Sequence, residues 1–170
     1  HVLGSAGVRV EHGRESLFFT GDVCFHDQTL TPKADFENVQ AEVLIMETTR
    51  GATEAPPGFS RDGEAKRLIR EIRTGLERRA GVLVPVFALG RTQEVLGEIA
   101  LAMQRGELKR QPVYIGGLGR VFTEIYDLIC NRAPNLQPDL NLHEALDLQV
   151  LEKKELNNIK LDGQLFVITA

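Results

Sequence analysis

Val82-Leu-Val-Pro-Val-Phe-Ala-Leu-Gly-Arg-Thr-Gln-Glu-Val95 is the stretch that decides the fold. It opens as a short apolar run, turns at Gly90, and resumes with Val95, Leu96, Ile99 and Met103 at helical spacing. A β-branched run closed by a glycine turn reads as a strand buried on both faces. Thr92 suits the N-cap of the following helix, because its hydroxyl can accept an orphan backbone N–H. The unit is strand–turn–helix, so the domain is α/β. Its helix N-terminus opens at the strand's carboxyl edge, where such sheets place ligands. Pro85 removes a ladder donor and marks the end of the central pairing.

Downstream the alternation continues. A strand at Val113-Tyr-Ile115 meets Gly116-Gly-Leu-Gly-Arg120, and a helix then carries Phe122, Ile125, Tyr126 and Ile129 inward. Pro134 and Pro138 break the next stretch, Leu148-Gln-Val150 reads as a short strand, and Leu165 to Ile168 as the last one. Upstream, a helix spans about residues 63 to 79, with Leu68, Ile69, Ile72 and Leu76 on one face. Strands alternating with helices imply a mostly parallel sheet flanked by helices.

Residues before 51 are different in kind. Val8 and Val10, then Leu17-Phe-Phe19, flank a polar segment and suggest a hairpin, whose second strand runs into Thr20-Gly-Asp22. A long polar loop leads to Val43-Leu-Ile-Met46, a second buried strand, which ends in Glu47-Thr-Thr-Arg-Gly51. The shift near residue 51, followed by Pro56-Pro-Gly58, is the best domain boundary.

With 170 residues there is room for one full core, or one domain and part of another. The net charge of −4 argues against a module that grips nucleic acid by bulk electrostatics. It does not argue against a nuclease, whose metal ions neutralise the scissile phosphate locally. Two cysteines make neither a disulfide framework nor a thiolate zinc site, so a reducing cytoplasm is the expected location. No apolar run is long enough to span a bilayer, and no membrane partner is expected. The chain starts on His and closes on Leu165-Phe-Val-Ile-Thr-Ala170, which suggests a piece of a longer polypeptide.

Several residues could carry chemistry, each with an ordinary alternative. A terminal histidine such as His1 is usually solvated. An aspartate after a glycine, as at Asp22, is usually a turn former. Glu47, at the end of an apolar strand, must be exposed, hydrogen-bonded, or orienting a metal ligand or catalytic histidine. Arg91 with Thr92, and Arg120, stand at helix N-termini that could take an anion such as a nucleic-acid phosphate. Glycines there also serve as plain turn residues. His12, His26 and His143 read as surface or loop residues.

The order of these motifs says more than any one of them. His1-Val-Leu-Gly-Ser-Ala6, Phe19-Thr-Gly-Asp22, Leu44-Ile-Met-Glu-Thr-Thr-Arg-Gly51 and Pro85-Val-Phe-Ala-Leu-Gly-Arg-Thr-Gln-Glu94 together resemble the metallo-β-lactamase/β-CASP nucleases. The resemblance implies part of an αββα sandwich over residues 1–51 and a β-CASP domain over 52–170, incomplete at its C-terminal end. It implies two zinc ions, with His1 and Asp22 as ligands and Asp22 bridging them. It makes Asp22 and Glu47 the catalytic residues, Glu47 by holding a histidine. It further implies RNA as substrate, cleaved endo- or 5′-exonucleolytically by a metal-bridging hydroxide, and a homodimer. A DNA-processing member and a non-catalytic nucleic-acid-binding scaffold are the alternatives.

The departures from the family pattern shape the expectations. The family's His-x-His-x-Asp-His cluster and its later histidines are not among these residues, and Thr-Thr-Arg-Gly follows Glu47 where many relatives have Ser-Thr-Tyr-Gly. These residues alone are therefore expected to bind zinc poorly and to lack nuclease activity. Strands near Val8, Phe18 and Leu44 are expected to expose an apolar face.

Overall fold

The computed structural model describes residues 2–151 and 160–169, with the strands in two sheets. The first sheet has the order β1-β2-β3, from β1 (Val8–His12), β2 (Glu15–Phe19) and β3 (Val43–Ile45). β1 and β2 form the expected hairpin, His12 opposite Glu15, closed by Gly13 and Arg14. Gly13 takes φ 63°, which the twist of a two-residue hairpin favours at its first loop position. β3 then pairs with β2 in parallel, Leu44 opposite Phe18.

Among the described residues, one patch of this sheet is covered. Ser16 and Phe18 are buried, and the Phe18 ring meets Phe36 edge-on at 5.0 Å. Val8, Val10, Val43, Leu44, Ile45 and Met46 are all exposed. The apolar surface expected at Val8 and Leu44 is therefore present, whereas Phe18, which shares the Leu44 face, is covered and packs against Phe36. β3, expected to be buried, is open on both faces among the described residues.

The second sheet is wholly parallel, in the order β4-β7-β5-β6. It comprises β4 (Val82–Val86), β5 (Pro112–Ile115), β6 (Asp147–Val150) and β7 (Leu165–Thr169). The helices are α1 (Arg61–Glu77), α2 (Arg91–Gln104), α3 (Leu118–Ile129) and the single turn α4 (Leu142–Ala145). Side chains alternate along a strand, so register fixes which residues share a face. Val82, Val84, Val113, Ile115, Leu148, Leu165 and Val167 all lie on one face and pack with Ile69, Ile72, Leu96, Ile99, Tyr126 and Leu142 from the four helices. The opposite face carries Leu83 and the Tyr114–Phe166 stack, ring centroids 5.1 Å apart.

β4 differs from the sequence expectation in its place. It is an edge strand, with Leu83 and Pro85 exposed on one face and alternate residues packed on the other. Val82 N–H donates to the Gln164 carbonyl of the β7 side at 2.8 Å. Alternation then turns the Leu83 and Pro85 nitrogens toward the free edge, where a missing donor costs the ladder nothing.

The helix ends also correct the sequence reading. α1 begins at Arg61 because the Ser60 hydroxyl accepts the Gly63 N–H at 3.0 Å. α2 is capped by Gly90, not Thr92. In α3 Tyr126 points inward, but Ile125 is exposed with Leu118, Val121 and Leu128, a stripe at helical spacing. α4 forms in the stretch that Pro134 and Pro138 break, its first amides held by Asp127: Leu142 N–H at 2.7 Å and His143 N–H at 3.1 Å. Among the described residues, no helix is long and apolar enough to cross a membrane.

Candidate functional site

The carboxyl ends of β2 and β3 lie side by side because those strands are parallel neighbours. Thr20 N–H donates to the Ile45 carbonyl at 3.0 Å, and the chain then turns through Gly21 to Asp22, which is exposed. Glu47 reaches across from the end of β3. Its carboxylate accepts the N–H of Val23 at 3.4 Å, next to Asp22, and that of Thr49 at 3.0 Å. Hydrogen bonds from the Thr49 amide and hydroxyl, with help from Val23 N–H, hold the Glu47 pKa below the ordinary carboxylate range. Asp22 and Glu47 are thus brought to one edge. The Ala6 carbonyl passes the same turn, 3.8 Å from where a Cβ on Gly21 would sit. His1 lies outside the described residues, but the segment behind it meets the Asp22 turn at Ala6.

That segment also touches the helical layer. Leu3 N–H donates to the Tyr126 hydroxyl of α3 at 3.0 Å. Val2 packs on Gly90, where a Cβ would lie 2.5 Å from Val2 Cγ1. The loop after Asp22 is gripped in turn by Glu94 of α2. This carboxylate, 3% exposed, accepts three successive amides: Thr29 at 2.6 Å, Leu30 at 3.1 Å and Thr31 at 3.0 Å. Arg61 Nη2 approaches the same oxygen at 3.3 Å. A buried charge needs this many partners to be tolerated.

The helix N-termini are engaged internally. Thr92, expected among the phosphate contacts, is fully buried, and both its N–H (3.2 Å) and its hydroxyl (2.7 Å) donate to the Phe87 carbonyl. Gln93 is equally buried. Its Oε1 accepts Gly90 N–H at 2.8 Å, and its Nε2 donates to Thr123 Oγ1 at 3.0 Å. Arg120 is tied to Glu124 of its own helix at 2.7 Å. Arg91 is exposed and makes no side-chain bond among the described residues. Glycines 117 and 119 give α3 close approach to β7: added Cβ atoms would lie 2.6 and 2.8 Å from Thr169.

Sequence reasoning missed Gln93 and Glu94. A signal was present, since Gln93, Leu96 and Ala100 follow at three and four residues and so share one helix face. A polar side chain on an apolar face must find partners inside. Of the remaining histidines, His12 and His26 are exposed, and His143 Nδ1 sits 2.6 Å from Asp127 Oδ2.

No family model matches the chain. Individual relatives do. It is 36% identical over 119 residues to the "RNase J-like protein" of Methanocaldococcus jannaschii, an alignment covering 69% of the chain and 28% of that protein. It is 36% identical over 129 residues to "Endoribonuclease ysh1" of Emericella nidulans, covering 74% and 14%. "Probable RNase MJ4" of M. jannaschii aligns with the whole chain at 29% identity, over 39% of its own length. The chain belongs to the β-CASP metallo-β-lactamase family. It spans well under half the length of these β-CASP relatives.

β-CASP proteins are metal-dependent. Among the described residues, no three His, Cys, Asp or Glu side chains converge to hold an ion. Asp22 offers a hard oxygen ligand at an exposed strand end, but one carboxylate is not a site. The described residues therefore do not themselves fit a dinuclear centre.

Proposed function

We propose that the protein containing this chain is a zinc-dependent ribonuclease, with His1 and Asp22 contributing metal ligands and Glu47 acting in catalysis. The observation that supports it most is the Glu47–Val23 bond, which joins the two acidic motifs at one edge, with the first motif's Ala6 beside them. Zinc pairs in such sites lower the pKa of a bound water and stabilise charge on a phosphodiester. The remaining ligands would have to come from a histidine cluster absent from these 170 residues. RNA is favoured over DNA by relatives named as ribonucleases and an endoribonuclease. The domain division at residues 1–51 and 52–170 belongs to this reading, as does contact of Arg91 and, after release from Glu124, Arg120 with phosphate. So do a homodimer and a cytoplasmic location, which suits free thiols at Cys24 and Cys130.

The test is cleavage of single-stranded RNA and DNA by the whole protein, before and after chelation. Metal-restored RNA cleavage, lost in Asp22→Ala with the fold intact, is expected. Cleavage that survives both chelation and that substitution would overturn the assignment.

A further inference from the structure

The segments after His1 and after Asp22 reach the helical layer through two buried polar contacts that the proposed chemistry does not use. Tyr126, 4% exposed, accepts Leu3 N–H across 123 positions of chain. Glu94 accepts the amides of Thr29, Leu30 and Thr31. These groups are neighbours. Burial and the Glu94 charge both push the Tyr126 phenol upward, and the Thr31 hydroxyl, buried without a well-formed hydrogen bond among the described residues, lies beside it.

We propose that Tyr126 and Glu94 are positioning residues, a two-point clamp by which α2 and α3 set the spacing between the segment after His1 and the segment after Asp22. A buried carboxylate is a poor way to gain stability, since an apolar side chain of similar size avoids its desolvation. It is a good way to fix a backbone path, because three successive N–H groups can converge on one carboxylate in only a narrow range of conformations. Tyr126 does the same at one point, and Gly90, lacking a Cβ, lets Val2 lie flat on the helix start. The catalytic consequence rests on the proposed function; the clamp rests on geometry alone.

Amide hydrogen exchange on the whole protein containing this chain, read at the named residues, tests the clamp. Tyr126→Phe removes one oxygen and should speed exchange at Leu3 by about tenfold, the scale of one hydrogen bond. Glu94→Gln should do so at Thr29 to Thr31. Each variant should also loosen the other segment by a smaller factor, leaving Val113 and Val167 unchanged. Uniform acceleration through the core, or none at Leu3 and Thr29 to Thr31, would overturn the clamp. Should Glu94→Gln not fold, Glu94→Asp, which shortens the reach, is read the same way. In the whole protein, both variants should lower kcat for single-stranded RNA with KM unchanged; an unchanged kcat in both overturns positioning. A wild-type protein that cleaves no RNA refutes the ribonuclease reading instead, and exchange still decides the clamp.

Discussion

At the scale of single residues, the buried acid and the exposed acid make opposite predictions. Glu94→Ala leaves three interior N–H groups without an acceptor, so urea unfolding should show a loss of about 3 kcal/mol or more. Asp22→Ala, at an exposed turn, should cost far less, no more than about 1 kcal/mol. Glu47 makes a pH prediction. Its folded pKa is depressed, so its contribution is present above the ordinary carboxylate range and fades as pH falls through the lower folded value. The Thr49 and Val23 amide resonances should therefore titrate below the ordinary range in an acid series, and Glu47→Gln should abolish that titration. Glu47 was legible in the sequence because a carboxylate after four apolar residues is conspicuous. Thr92 misled because a threonine after a glycine turn looks like a cap, and sequence alone does not reveal that its hydroxyl turns back to Phe87. Arg120 could have been read better, since Glu124 four residues on is its natural partner.

At the scale of elements, glycine positions separate turn geometry from packing. Gly13 and Gly90 both have positive φ, but the first faces open space and the second faces Val2. Gly13→Ala should cost about 1–2 kcal/mol, the left-handed penalty alone. Gly90→Ala should cost distinctly more and should shift the resonances of Val2 and Leu3, because the new methyl needs the space Val2 fills. Thermal unfolding of the two variants side by side measures the difference. Apolar patterning located each of the described strands, but not its neighbours. The run at Val43 to Met46 reads the same whether covered or open, and β4 reads as central because its apolar residues do not record that it has one partner. The Ile125 expectation failed for a related reason. α3 is apolar on both sides, and spacing does not say which side meets the sheet.

At the scale of the whole molecule, the protein has a covered half and an open half. Leu165→Ala, in the parallel sheet's core, should cost about 2–5 kcal/mol. Leu44→Ser on the small sheet should change stability by less than about 0.5 kcal/mol while lowering binding of a hydrophobic dye. The α/β class and the order of motifs are legible in the sequence alone. The joining of the two sheets through α2 and α3 is not, because it depends on contacts between residues as distant as Leu3 and Tyr126. Pro85 has one further effect at this scale. A rim of unsatisfied peptide groups invites chains to add themselves and grow into aggregates, yet here the ring nitrogen interrupts the row midway. An incoming strand would find no hydrogen to bond at that step, so Pro85 guards the free edge of β4, as it stands among the described residues, against strand addition.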